Sequence, residues 1–364
     1  MVLTAMTTRT ACRTFKSTMV HLQTRPLSSA SGPRHLLSIA DLSPAEFTKL
    51  VLNASSHKAA VKAAFAAGQV PPKPLHGALT GKTVAMMFNK RSTRTRVSTE
   101  AAVQMMSGHP MFLGKDDIQL GVNESLYDTS VVISSMTSCM VARVGAHHEV
   151  ADLAKDSSVP VINALSSDFH PLQTIADFQT IHESLPSRQP SPSSLGLEGL
   201  NVAWIGDSNN VLFDLAIGCV KMGVNIAVAS PTGYGIPDAM RALILSASAG
   251  VANPGQLRET TVPEEAIRDA DILVTDTWVS MGQEEESKRR IKAFAGYQIT
   301  NELAKRGGAK PDWKFMHCLP RHQEEVDDEV FYGPRSLVFP EAENRLWAAV
   351  SALEAFVVNK GKIL

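Results

Sequence analysis

At 364 residues the chain can bury two hydrophobic cores, and 44% apolar content with a formal charge of −1 describes an ordinary globular protein. That near-neutral balance offers no nucleic-acid surface, and no run of about 18 apolar residues exists to span a bilayer. The charge is uneven: residues 1–40 hold Arg9, Arg13, Lys16, Arg25 and Arg34 and no acid, so the remainder carries −6 (−1 minus +5).

The basic opening is rich in Ser and Thr and has no continuous apolar core, which predicts a mitochondrial transit peptide over residues 1–34 and a mitochondrial matrix location. Cys12, Cys139, Cys219 and Cys318 show no metal-ligand spacing, which fits reduced thiols and gives no sign of a metal site. Ser43-Pro44-Ala45-Glu46 reads as a capping box with proline at the first helical position, opening an amphipathic helix to about Gly68. A strand over 82–88 then ends in Lys90-Arg91-Ser92-Thr93-Arg94-Thr95-Arg96, which opens a helix terminated at Gly108. Unpaired backbone N–H groups, short hydroxyls and guanidinium forks at one strand-to-helix turn form a cradle for an anion such as phosphate.

Met111-Phe112-Leu113 is expected as a strand, the loop from Gly114 to Glu124 leads to a helix through about Cys139, and 140–144 is a buried strand ending near Arg143. A charge at that depth needs a partner. The His147-His148 pair beyond it reads as surface. The strand 159–165 precedes Asp168-Phe169-His170-Pro171-Leu172-Gln173, where Pro171 begins a helix and leaves His170 at its N-cap. The helix dipole disfavours an imidazolium there, so His170 is suited to act as a neutral donor. Three prolines and four serines within 185–194 mark a domain boundary.

The second half restarts with strand 201–205, the turn Gly206-Asp207-Ser208-Asn209-Asn210, a helix to Gly223 and strand 225–230. This is a βαβ unit without the glycine-rich dinucleotide fingerprint. Strand 271–276 ends in Asp276, the polar run 283–290 follows a glycine that permits a mobile lid, strand 314–317 delivers Cys318, and a helix runs from 341 to about 358. Alternating strands and helices predict an α/β fold of two domains, each a parallel sheet flanked by helices, with one active site in the cleft between them. The domains are expected at 35–184, joined by the C-terminal helix of 341–364, and at 185–340. Chemistry-bearing residues recur at strand C-termini, which predicts an enzyme joining an anionic or phosphorylated substrate to an amine.

Ser92-Thr93-Arg94-Thr95-Arg96 and His170-Pro171-Leu172-Gln173 resemble the two signatures of the aspartate/ornithine carbamoyltransferase superfamily. Asp276-Thr277-Trp278-Val279-Ser280-Met281-Gly282 and His317-Cys318-Leu319-Pro320 are similar to the motifs of its ornithine branch. The resemblance implies transfer of a carbamoyl group from carbamoyl phosphate to the δ-amine of L-ornithine, giving citrulline and phosphate in arginine biosynthesis, without a cofactor. It implies that Ser92, Thr93, Arg94 and Thr95 hold phosphate and that Arg143 and His170 reach the carbonyl oxygen. Gln173, the backbone carbonyls of Cys318 and Leu319, and Arg345 would fix the carbamoyl end, with Cys318, His170 and Arg143 as the catalytic group. Asn210, Asp276, Ser280 and Met281 would hold the amino-acid part of ornithine. It further implies a homotrimer in which Gln119 enters the neighbouring subunit's site, with Arg96 left to support the turn or the subunit contact.

Overall fold

The computed structural model describes residues 32–73, 75–118, 124–185, 194–278 and 284–364. Gln119, Ser280, Met281, nearly all of the leader and nearly all of the 186–194 loop therefore lie outside the described residues. Arg34, assigned to the leader from sequence, belongs to the folded body: it pairs with Glu46 at 2.6 Å and donates to the Gly361 carbonyl.

The first sheet is built from α1 (Pro44–Ala66), β1 (Thr83–Phe88), α2 (Thr93–Met105), β2 (His109–Gly114), α3 (Leu126–Met136), β3 (Cys139–Arg143), α4 (His147–Asp156), β4 (Val161–Leu165) and α5 (Pro171–Ser184). Its strands lie wholly parallel in the order β2-β1-β3-β4. The second comprises β5 (Asn201–Ile205), α6 (Asn210–Lys221), β6 (Asn225–Ala229), α7 (Asp238–Ser246), β7 (Leu257–Thr260), α8 (Pro263–Ile267), β8 (Ile272–Thr275), α9 (Glu284–Ala293), α10 (Asn301–Gly307) and β9 (Lys314–His317). Its order is β7-β6-β5-β8-β9, also parallel. The short α11 (Asp328–Phe331) and the long α12 (Val338–Leu353) close the chain, and α12 packs against α1, α2 and α5 on the first sheet.

Local chemistry accounts for several of these boundaries. Ser43 and Glu46 cap α1 reciprocally, Ser92 caps α2 by accepting from the Thr95 N–H at 3.3 Å, and Pro171 stands at the start of α5. The helix expected to reach Cys139 stops at Met136, because Thr137 turns extended and Cys139 already pairs beside Val84 in the sheet. Sequence periodicity does not show α4, α7, α8, α10, α11 or β7; β7 is a four-residue edge strand without a fully buried side chain, so it carries little pattern to read.

The helices α5 and α6 are buried on nearly every face, as expected of helices sandwiched between sheets. They meet where Gly218 lies against Phe178: a Cβ there would come within 2.8 Å of the ring. One apolar core consequently runs from the α1/α5/α12 side of the first sheet to the α6 side of the second, while separate cores fill the opposite faces.

Candidate functional site

Strand C-termini from both sheets converge. From the first sheet come the α2 N-terminus after β1, Arg143 at the end of β3, and His170 beyond β4 as the N-cap of α5. From the second come Asn209 and Asn210 after β5, Asp276 after β8 and Cys318 after β9. Arg94 joins the two by donating to the Leu319 carbonyl. Leu319 itself has φ +62°, a costly backbone for a branched residue, and its N–H donates to His317 Nδ1 at 2.9 Å.

The first-sheet half is a cationic recess. Burial draws Arg143 and Arg345 down to about 10, with neighbouring guanidiniums adding to the effect, and both stay charged at neutral pH. His170 is 4% exposed, and burial followed by the charges of Arg345, Arg143 and Arg94 holds it well below its usual value. It is therefore neutral at physiological pH, now for a stronger reason than the helix dipole. Among the described residues its Nδ1 and Arg143 Nε have no hydrogen-bond partner. Three guanidiniums and a neutral imidazole converging in a buried space stabilise an anion with a polar group beside it.

Arg345 is held inside this recess. It donates to Gln173 Oε1 at 2.6 Å and Thr95 Oγ1 at 3.2 Å, and it is only 3% exposed. Gln173 Nε2 donates in turn to Asp177 Oδ1 at 2.7 Å and Glu341 Oε1 at 2.9 Å, and Glu341 Oε2 accepts from the His317 N–H. Both ends of the Gln173 amide are thus engaged within the protein. Its carbonyl oxygen holds Arg345. Burial raises both carboxyls, Asp177 to about 7 and Glu341 well above its normal range. Sequence reading missed this acid pair because helical acids ordinarily face solvent.

On the second-sheet half the Cys318 thiol donates to Asp276 Oδ1 at 3.1 Å, and Asn209 Nδ2 donates to Asp276 Oδ2 at 2.8 Å. Burial, and then the Asp276 and Glu341 carboxylates, push the thiol well above its normal range, so Cys318 is a neutral donor. Asn209 was not singled out, whereas the expected Asn210 turns its amide to the Ser166 carbonyl at 2.7 Å. Successive residues at a helix start point about 100° apart, and sequence alone does not say which of two asparagines faces the acid.

One further expectation is revised. His147 is half-buried, with Nδ1 2.8 Å from Ser166 Oγ and its ring edge-on to Phe169 at 4.8 Å; His148 is exposed as expected. Arg96 bonds to Glu100 and stacks over Phe112 at 3.6 Å. Asp276, His317 and Cys318 place metal-type donor atoms within 4.8 Å of one another. The donor set does not suit a metal: His317 Nδ1 accepts from Leu319, its Nε2 faces Glu325 Oε2 at 3.1 Å, and the thiol keeps its proton. Among the described residues no helix is long and apolar enough to cross a membrane.

Residues 34–183 match the family model for the aspartate/ornithine carbamoyltransferase carbamoyl-P binding domain, and residues 198–356 that for the Asp/Orn binding domain. The chain is 69% identical over 362 residues to the mitochondrial ornithine carbamoyltransferase of Emericella nidulans, covering 100% of this chain and 98% of the relative. It is 48% identical over 336 residues to the ornithine carbamoyltransferase of Saccharomyces cerevisiae, covering 92% and 97%. Among solved structures, the mitochondrial ornithine carbamoyltransferase of Coccidioides immitis superposes with a TM-score of 0.84 at 68% identity, covering 91% of this chain and 100% of that one. The enzyme of Pyrococcus furiosus gives 0.79 at 39% identity, covering 90% and 98%.

Proposed function

Because the chain belongs to the aspartate/ornithine carbamoyltransferase family, we propose that this cleft transfers the carbamoyl group of carbamoyl phosphate to the δ-amine of L-ornithine, giving citrulline and phosphate for arginine biosynthesis in the mitochondrial matrix. The observation that carries the reading is the pairing of the Arg94/Arg143/Arg345 recess, with its neutral His170, against the Asp276–Cys318 pair on the facing sheet.

Ser92, Thr93, Arg94 and Thr95 cradle the phosphate at the start of α2, where N–H groups and guanidinium forks suit its oxygens. Arg143, His170 and the Thr95 hydroxyl face the carbonyl oxygen. The neutral δ-amine attacks the carbonyl carbon, charge collects on that oxygen, the C–O bond to phosphate then breaks, and the departing phosphate takes up the proton that the amine nitrogen loses. A preorganised donor at such an oxyanion contributes about 3–4 kcal/mol. Arg345 fixes Thr95 through its hydroxyl, and Gln173 fixes Arg345. The Leu319 carbonyl, bonded here to Arg94, accepts from the carbamoyl NH₂ together with the Cys318 carbonyl. Asp276 receives the α-ammonium of ornithine, with Asn210, Ser280 and Met281 around the rest of the amino acid.

The first sheet with α12 forms the carbamoyl-phosphate side and the second sheet the ornithine side. In the assembly, three chains associate and Gln119 completes the neighbouring site. Apolar side chains exposed on α2 and α3, such as Val97 at 60% and Met136 at 70%, support burial of this flank against another copy.

The test presents carbamoyl phosphate with ornithine, acetylornithine, putrescine or aspartate and follows phosphate release. Ornithine alone is expected to trigger it; release with another amine instead moves the reading to that substrate. Equilibrium sedimentation is expected to give a mass of three chains, and a monomer would remove the shared site.

Cys318→Ala is expected to lower kcat or weaken ornithine binding by about 10-fold, the weight of one donor hydrogen bond to a charged group, while the carbamoyl phosphate Kd stays put. Since the thiol holds its proton, its alkylation should stay slow up to pH 9 in the native enzyme. Rapid alkylation at pH 7, or equal loss of both substrates' binding, would refute the role given to Cys318.

A further inference from the structure

The helix α6 carries an acid and a base along residues 211–221, all of them buried and the others apolar. Asp214 is 0% exposed, and its carboxylate accepts three hydrogen bonds: Oδ1 from Ser38 Oγ at 2.8 Å and the Ile39 N–H at 2.9 Å, Oδ2 from the His170 N–H at 2.8 Å. Two turns on, Lys221 Nζ donates to the carbonyls of Ile39 at 2.8 Å and Ala40 at 2.9 Å, and to that of Leu42. Asp214 therefore holds the donor end of the short 3₁₀ turn Ile39–Asp41, and Lys221 its acceptor end.

Asn210, Asp214, Gly218 and Lys221 recur at intervals of four, four and three, which places them on one face of α6. That face is the seam with the first sheet. Asn210 takes the Ser166 carbonyl, Asp214 the His170 N–H, and Gly218 lets Phe178 and Thr174 of α5 come close. Both ends of the loop from β4 to α5 are thus bonded to a helix of the other sheet, one turn apart. His170 needs such a hold, because its side chain makes no cap bond and its Nδ1 has no partner among the described residues. The ring is aimed by where its backbone is fixed.

We propose that Asp214 is a positioning residue for the reaction: through its bond to the His170 N–H it sets the imidazole against the carbonyl oxygen, and α6 carries that setting across from the ornithine side. The inference rests on His170 being the carbonyl donor of the proposed reaction. A carboxylate suits the position because every group around it is a donor; an amide would turn its NH₂ against either the His170 N–H or the Ser38–Ile39 pair.

The experiment is a double-mutant cycle on citrulline formation, using Asp214→Asn and His170→Ala, with Ser38→Ala as a control that leaves the His170 bond intact. Asp214→Asn is expected to lower kcat about 10-fold, the scale of a sub-ångström misplacement, with little change in either KM. In the His170→Ala background the same change should alter kcat less than about 2-fold, because the group being positioned is gone. Ser38→Ala should keep wild-type kcat. Equal fractional losses in both backgrounds, or a Ser38→Ala loss matching that of Asp214→Asn, would overturn the proposal. Should Asp214→Asn fail to fold, Asp214→Ser takes its place, since it is small and neutral. Its His170 ring signal in histidine-selective NMR, assigned by its absence in His170→Ala, should shift while that of Ser38→Ala does not. An unshifted signal overturns the proposal as well. If His170→Ala alone keeps full kcat, the catalytic reading of His170 falls, and the ring signal still decides whether Asp214 positions it.

Discussion

Arg345→Met is expected to lower kcat/KM about 100-fold, the effect of losing an oxyanion donor, and to destabilise the fold. Arg345 contacts Thr95 with one Nη and Gln173 with the other, so its loss frees a hydroxyl of the proposed oxyanion site and a buried amide together. It also removes the buried cation that offsets Asp177. Stripping a buried charge cluster of one partner costs about 3–5 kcal/mol. Arg345→Lys separates the two effects. An ammonium restores the charge but cannot span Gln173 Oε1 and Thr95 Oγ1 as a planar fork does, so stability should return further than activity. Urea unfolding midpoints and steady-state kinetics measure the two. A lysine variant with wild-type kcat/KM would show that charge alone suffices and that the fork geometry is irrelevant.

Asp276→Asn is expected to raise the KM for ornithine about 100-fold, the scale of losing one partner of a buried charge pair, and to leave the Kd for carbamoyl phosphate within about 2-fold. Each Asp276 oxygen already accepts one bond, from Cys318 or from Asn209, and each keeps a lone pair for an incoming ammonium. An asparagine loses the charge and sets an NH₂ against one of those donors. Calorimetry with carbamoyl phosphate alone and kinetics over a range of ornithine concentrations read the two sides separately. A matching loss of carbamoyl phosphate affinity would place Asp276 at the wrong substrate.

What could be read from the sequence was what local rules write into it. The Ser43–Glu46 box, Pro171 after His170 and the apolar runs of β1, β3 and β8 each state their element in a few adjacent residues. Strand ends then marked Arg143, His170, Asp276 and Cys318, since in a parallel sheet every C-terminus opens on the same edge. The groups that hold those residues were hidden. Asp177, Asp214, Lys221 and Glu341 are charged residues inside helices, a pattern that elsewhere means a solvated face, and only the packing of α5, α6 and α12 reveals them as buried. Leu36 was equally silent: it adds a parallel bridge beside Ile162, a pairing decided by residues more than a hundred positions away.

The second sheet has the strand order that elsewhere makes a dinucleotide crevice where the order reverses, here between β5 and β8. In such a crevice a glycine-rich first turn lets pyrophosphate settle against the backbone. This chain keeps the glycine and fills the space itself. Gly206 has φ +142°, and a Cβ on it would lie 2.7 Å from the indole nitrogen of Trp278. Trp278 is nearly buried, and its N–H donates to the Glu325 carboxylate at 3.0 Å through the backbone. The berth that a nucleotide would occupy is thus plugged by the chain's own tryptophan.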